Sequence, residues 1–228
     1  MKKLLIGLYT LSLIFVAQAQ QPYYPDANWQ IKKPEVLKLN KSLLDSAIQL
    51  ALRSENKVDK DLRIAIMKSY GREPNYKIIG PMKERGGPAG LIIKNGYIVG
   101  QWGDVERVDM TFSVTKSYLS TVAGIAVDDG LIKNVSDKMN RYVTDGSFDG
   151  AHNSKITWDH LLTQSSDWSG TLFDLHDWAD RPPREGEIDD WKNRKLNEPG
   201  TFYKYNDVRV NLLAYSLLQV WRKPLPMI

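Results

Sequence analysis

Apolar positions recur at helical spacing early in the chain. Leu43, Leu44, Ala47, Ile48, Ala51 and Leu52 form one set, and Leu62, Ala65, Ile66 and Met67 a second. They predict one or two amphipathic helices over residues 41–70. The pattern then changes period. Leu91 to Lys94 and Tyr97 to Trp102 are β-rich runs joined by Asn95-Gly96. Asn-Gly is the favoured type I′ turn, so these runs predict a hairpin. From Ser113 to Val127 the residues are small or apolar with few charges on any face, which predicts a buried helix ended by Asp128-Asp129-Gly130. A short helix over Asp159 to Thr163 leads into a polar loop. Residues 170–200 are loop-rich, with Pro182-Pro183 and Pro199-Gly200. Helical spacing returns over Asp207 to Val220. The sequence contains no internal repeat and no low-complexity tract.

The first residues change the picture of where the protein works. Lys2 and Lys3 precede an apolar run from Leu4 to Val16, and Ala17-Gln18-Ala19 supplies small residues for cleavage. This layout predicts a secretory signal peptide over 1–19, cut after Ala19. The run is shorter than the roughly 18–20 residues a membrane span needs, so no stable anchor is expected after cleavage. An extended, proline-bearing lead-in over 20–40 and a folded region over 41–228 follow. There is no cysteine, which excludes disulfides, thiolate metal sites and a cysteine nucleophile. An exported chain without disulfides fits a bacterial periplasm or the medium. The composition, 42% hydrophobic and 25% charged, is that of a folded globular protein. The 31 Lys and Arg against 27 Asp and Glu give +4, or +2 once Lys2 and Lys3 are set aside. That excess is too small to argue for a nucleic-acid partner, and the basic runs read as solvated surface.

The candidate chemistry begins at Ser113-Val114-Thr115-Lys116. Residues i and i+3 share a helix face, so Lys116 can reach the Ser113 hydroxyl. A serine in the first turn also meets the positive end of the helix dipole. Lysine acts as a base only when burial or a nearby positive charge makes its neutral form available. A second serine–x–x–lysine, Ser54 to Lys57, sits among Glu55, Asp59, Lys60 and Asp61 in a polar stretch, so spacing alone decides nothing. The plain alternative for Ser113 is a helix-capping serine with a snorkelling lysine. The apolar helix around it favours chemistry. His152, His160 and His176 lack a G-x-S-x-G elbow or an H-E-x-x-H pair to work with, and no glycine-rich phosphate loop is present. No metal or cofactor is therefore implied, and His160 reads as structural. Asp128-Asp129 reads as a helix stop and Asp189-Asp190 as a surface turn. Trp168, Trp178 and Trp191 fit a substrate cleft or ordinary packing equally.

Three blocks carry a resemblance. "TFSVTKSYLSTVAGIAVDDGLI" resembles the active-site helix of the class C β-lactamase and penicillin-binding-protein-like serine hydrolases. "ITWDHLLTQSSDWSG" and "PGTFYKYNDVRVNLLA" resemble two later segments of that family, in the same order. The resemblance spans roughly residues 87–226 and is greatest to the branch with esterases and 6-aminohexanoate-dimer hydrolase. It implies an α+β fold of the β-lactamase/transpeptidase type: an antiparallel sheet flanked by helices plus a helical region. It also implies an acyl-enzyme route in which Ser113 attacks, Lys116 assists its deprotonation and Tyr205 shuttles the proton. By its own pattern, "FYKY" alternates like a strand and Tyr205 reads as a core aromatic. The family's Tyr-x-Asn is Tyr205-Asn206-Asp207 here. An ionised aspartate accepts but cannot donate a hydrogen bond, so Asp207 points to an ester or amide substrate, small molecule or peptide, more than to a β-lactam. Asn206 is a substitute donor. The other readings are a true β-lactamase, a penicillin-binding-like protein that binds cell-wall peptides without turnover, and an exported structural protein with a coincidental serine–lysine pair. The family's third motif, Lys-Thr-Gly or His-x-Gly, supplies an oxyanion donor and has no counterpart after Tyr205. The expectation from this is that the C-terminal strands are missing, that a longer product is the enzyme, and that this 228-residue piece alone is inactive or unstable.

Overall fold

The computed structural model describes residues 23–74, 76–183 and 185–228. The signal-peptide segment 1–19 lies outside the described residues. The chain packs as two compact units, whose boundaries cut across the 41–228 span. One holds the residues up to Asn56 together with Gly86–Arg107, the other Lys57–Arg85 with Val108–Ile228.

In the first unit, α1 (Lys41–Arg53) starts at Asn40, whose side chain accepts from the Leu43 N–H at 3.1 Å. This satisfies one of the donors left open in a first turn. Strands β1 (Gly90–Lys94) and β2 (Tyr97–Trp102) form an antiparallel pair, from Gly90 opposite Trp102 to Lys94 opposite Tyr97. Asn95 and Gly96 both have positive φ, 52° and 82°, as a type I′ turn requires. Helix α1 packs on β2 where Gly100 leaves room: a Cβ there would stand 3.2 Å from Ile48 Cδ1. The lead-in does more than extend. Ile98 donates to the Gln30 carbonyl and Lys32 donates to the Ile98 carbonyl, so Ile31 pairs with the hairpin edge. A 3₁₀ turn, Pro34–Leu37, follows.

The second unit opens with α2 (Leu62–Tyr70), capped by Asp61. Its body is α3 (Thr115–Asp128), α4 (Gly150–Asn153), α5 (Trp158–Leu162), the small pair β3 (Thr171–Leu172) and β4 (Leu175–His176), α6 (Ile188–Lys192) and α7 (Asp207–Trp221). The hydrophobic core joins Leu119, Ala123 and Ala126 of α3 to Val208, Leu212, Leu213 and Leu217 of α7. Met139, Phe148, Ile156 and Trp158, all at most 1% exposed, fill the space between elements. The i, i+4 recurrence on α7 keeps one face toward this core. The architecture is mixed, mostly helical, with two small antiparallel sheets among the described residues. The larger sheet expected from the resemblance is not among them.

Two expectations are corrected here. Helix α3 is not buried all round: only Leu119, Ala123 and Ala126 are buried, and Tyr118 on the opposite side is 66% exposed. Its apolar character reflects small residues packed on one side by α7. The polar loop after α5 is, conversely, an interior segment: Ser165, Ser166, Asp167 and Trp168 are all buried. The reason is a buried ion network. Asp167, 0% exposed, receives Arg209 Nη2 at 2.8 Å, Arg194 Nη1 at 2.9 Å and the Asn197 backbone N–H at 2.7 Å. Arg209 also donates to Asp177 Oδ2 and the Trp168 carbonyl, each at 3.0 Å. Asp189-Asp190 form the first turn of α6, where the helix dipole favours carboxylates.

Burial alone would push the Asp167 carboxyl upward, but Arg194, the Asn197 amide and Arg209 hold it well below the usual carboxylate range. A depressed native value stabilises the fold above the ordinary aspartate pKa of about 4, and that contribution drains as pH falls through the native value. Urea unfolding at pH 7, 5 and 3 should show a steep acid loss. Asp167→Asn should cost about 3 kcal/mol at pH 7, because Arg194 loses its buried carboxylate and Arg209 keeps only Asp177, and should flatten the acid limb.

Candidate active site

The candidate site is built at the start of α3. A 3₁₀ turn, Phe112–Val114, precedes the helix and carries Ser113. Phe112 has φ 45°, a left-handed value that a bulky residue adopts only when its surroundings impose it. The Thr111 and Thr115 hydroxyls lie 2.8 Å apart across this turn. Ser113 is thus not the helix cap; it stands exposed just ahead of the first full turn, with Lys116 one turn on.

The chain brings a distant residue to the same point. The Tyr205 and Ser113 hydroxyls lie 2.6 Å apart, and Lys116 Nζ donates to Ser113 Oγ at 3.3 Å. Tyr205 is placed by Lys204, whose N–H donates to the Gln164 carbonyl, and by Asn206, whose N–H donates to Gln164 Oε1. Residues 202–206 form no strand, so the alternating "FYKY" is an extended lead to α7 rather than a sheet element. Asp207 is the first residue of α7. Its Oδ1 pairs with Lys116 Nζ at 2.6 Å and its Oδ2 with Arg181 Nη1 at 2.7 Å.

Asn206 departs from its expected role as a substrate donor. It is 2% exposed, caps α7 by accepting from the Arg209 N–H, and spends its amide on the Asp177 carbonyl. The backbone turns inward at 206, so its side chain belongs to the scaffold. The control pair fares differently from Ser113: Ser54 ends α1 as its C-cap and is exposed, as is Lys57.

Ser113, Lys116 and Asp207 line a cleft of about 1190 Å3, together with Glu73, Asp180 and Arg181 on its polar side and Tyr118, Leu119 and Val122 on its apolar side. Trp168, Trp178 and Trp191 do not line it. Trp168 is core and donates to the Ser147 carbonyl; Trp191 donates to the Trp178 carbonyl. The histidines are elsewhere too. His160 completes a capping box with Thr157 on α5, His152 meets the Asp167 carbonyl, and His176 meets the Thr171 hydroxyl. Among the described residues no group of three or more His, Asp or Glu is arranged to hold a metal ion.

Sequence reasoning missed Arg181 and Asp180. The Asp180 carboxylate accepts from Arg181 Nη1 at 3.0 Å and from the Asp207 backbone N–H at 2.5 Å. The signal was faint: an Asp-Arg before Pro182-Pro183 in a loop-rich stretch.

The electrostatics follow from these pairs. Burial pushes Lys116 down, but the hydrogen bond and charge of Asp207, with Tyr205, raise it above the ordinary lysine value. Lys116 is therefore an ammonium at neutral pH, not the neutral base that an apolar helix predicts. Burial pushes Asp207 up, yet Lys116 and Arg181 hold it below the usual range. Burial raises Asp180 and Glu73, and for Glu73 the nearby Asp180 adds to the effect. What the arrangement offers is a hydroxyl pair beside a fixed cation.

A model of the beta-lactamase family matches residues 77–219, more than half of the 228 residues. The chain belongs to the beta-lactamase family of serine hydrolases, and Ser113, Lys116 and Tyr205 all lie within the matched span. Among solved structures it is similar to a Bacillus anthracis protein described as a 6-aminohexanoate-dimer hydrolase, at 15% identity and a TM-score of 0.39. That match covers 60% of this chain and 41% of that one, so the chain spans less than half of its length. No curated protein sequence matches.

The Lys116–Asp207 pair can be read directly. A raised native lysine pKa adds stability below the ordinary value of about 10.4, and the contribution is lost as pH rises through the native value. In the lysine side-chain resonances Lys116 should titrate above the ordinary lysine value. Asp207→Asn should bring its midpoint down; an unmoved midpoint would remove Asp207 as the cause.

Proposed function

We propose that this protein hydrolyses an ester or amide bond through an acyl-enzyme on Ser113. The observation that supports this most is the 2.6 Å approach of the Tyr205 and Ser113 hydroxyls with the Lys116 ammonium 3.3 Å from Ser113 Oγ. In the first step Ser113 Oγ bonds to the substrate carbonyl carbon as its proton passes to the Tyr205 oxygen and the phenol's own proton moves on to the departing atom. The scissile bond breaks as that proton reaches the leaving alcohol or amine, and Tyr205 ends the step as the phenol it began. Water then enters by the same relay, releasing the acid and restoring the Ser113 hydroxyl. Proton transfer by a placed group contributes about 10²–10⁴ in rate. Lys116 acts here as a fixed positive charge. It stabilises the negative charge that develops on Tyr205 and Ser113 as the proton moves, and such preorganised charge is a large part of enzymatic rate enhancement.

Asp207 sets the preference among carbonyl substrates. Its oxygens face Lys116 and Arg181 and can only accept. The carboxylate itself offers a ligand amide carbonyl no donor, which supports an ester or simple amide over a β-lactam with an acylamino side chain. The signal-peptide layout of residues 1–19 supports the periplasm or the medium as the site of this chemistry. A second reading, an acylated binder with slow turnover, draws on the same Lys116–Asp207 pair, since a lysine held as ammonium is a poor base for the water step.

Labelling with a fluorophosphonate separates these ideas. The expected adduct is on Ser113 and vanishes in Ser113→Ala; an adduct on Ser54, or none, refutes the proposal. Lys116→Ala and Tyr205→Phe should each slow labelling by about 10²-fold or more. With a chromogenic ester, steady turnover after the burst marks a hydrolase, and a burst alone marks the binder.

A further inference from the structure

The site contains a closed circuit of contacts that the hydrolase reading leaves unused. It runs from Ser113 to Lys116, on to Asp207, to Arg181, and back through the Tyr205 ring. The Arg181 guanidinium carbon lies 4.6 Å from that ring's centre, and Lys116 Nζ lies 4.8 Å from it. A cation over an aromatic face is attracted by the ring quadrupole. Arg181 has further contacts: Asp180 shares the Nη1 that meets Asp207, and the Arg181 carbonyl accepts from Lys204 Nζ at 2.9 Å. Asp180 also binds the Asp207 backbone N–H, so one carboxylate fixes both partners of the next ion pair. The residue itself has φ 49°, a left-handed conformation uncommon outside glycine.

We infer that Arg181 is a positioning residue for the Ser113 site, fixing the Asp207 carboxylate and the Tyr205 ring so that the Tyr205 hydroxyl and Lys116 both stay on Ser113. The inference rests on the hydrolase reading. Two partners, Asp207 and Ser113, compete for Lys116. Lys116 is nearer to Asp207, at 2.6 Å, than to Ser113, at 3.3 Å, so it follows the carboxylate wherever that turns. Asp207 has one oxygen on each cation. With Arg181 removed, the Oδ2 side is released, the carboxylate rotates toward Lys116, and Lys116 leaves Ser113. The Tyr205 ring loses the cation on its face in the same step. Arginine suits this place because its flat guanidinium lies over a ring while one edge nitrogen meets the carboxylates, which a lysine ammonium does not do.

The test uses the full chain and an alkyl fluorophosphonate at a range of concentrations, which gives the maximal labelling rate and the probe's half-saturation separately. Arg181→Ala should lower the maximal rate by about 10–100-fold, the scale of a misplaced reacting group. Half-saturation should stay within about threefold, since the Arg181 Nη1 is already engaged by Asp180 and Asp207 and the alkyl chain of the probe brings no charge to it. Arg181→Lys should recover part of the rate, because it returns the charge without the flat guanidinium that lies over the Tyr205 ring. Thermal unfolding of each variant is followed alongside. Should Arg181→Ala unfold, Arg181→Gln replaces it, with the same outcomes. A wild-type maximal rate in the variant overturns the inference. So does an equal loss in Arg181→Lys that tracks a lowered melting temperature, because that is a purely structural effect. A wild-type chain that takes no label on Ser113 brings down the hydrolase reading itself, and this inference with it.

Discussion

A buried carboxylate holds the second unit together. Asp167 is fully enclosed and carries a negative charge that is tolerable only because Arg209, Arg194 and the Asn197 amide converge on it. Those partners come from three places: the start of α7, the segment after α6, and the chain leading to Pro199. The consequence is positional. A loop that follows α5 becomes an interior wall, and α7 can begin only where its Arg209 reaches that wall.

The site inherits its geometry from this arrangement. Asn206 caps α7 and ties it to the Asp177 carbonyl, while Arg209, one turn on, pairs with the Asp177 side chain. Tyr205 and Asp207 flank that buried cap and therefore point the other way, toward α3. Ser113 waits there on a turn whose Phe112 is held in a left-handed conformation. The pairing of the two hydroxyls thus follows from one helix start locked by buried charge and one helix start forced by a strained turn. Lys116 is then captured by Asp207, and the same contact that places the lysine also keeps it protonated.

Much of the local structure was legible in the residues. The hairpin followed from Asn95-Gly96, because only a few residues accept two successive positive φ angles. α1, α2 and α7 followed from apolar spacing, since a helix must turn one stripe inward. Ser113, Lys116 and Tyr205 were singled out from motif blocks, and the structure gathers them within hydrogen-bond reach. Burial was read less well. The apolar content of α3 pointed to a fully enclosed helix, yet its outer side is open. The polar string Ser165-Ser166-Asp167 pointed to a surface loop, yet it is interior. Both errors share a cause: composition reports what a segment tolerates, while burial depends on which segments meet it.

What the sequence determined by itself is therefore local and covalent: helical stripes, the turn type, the absence of any thiol, and a serine with a lysine one turn away. Tertiary structure decided what those groups are. It turned Asn206 inward as a cap, gave Asp207 two cations, and brought Arg181 from a proline-rich loop to the face of Tyr205. The upward pull of Asp207 on the Lys116 pKa arises at the same level. A charge state is set by neighbours within a few ångströms, and here those neighbours lie dozens of residues away along the chain.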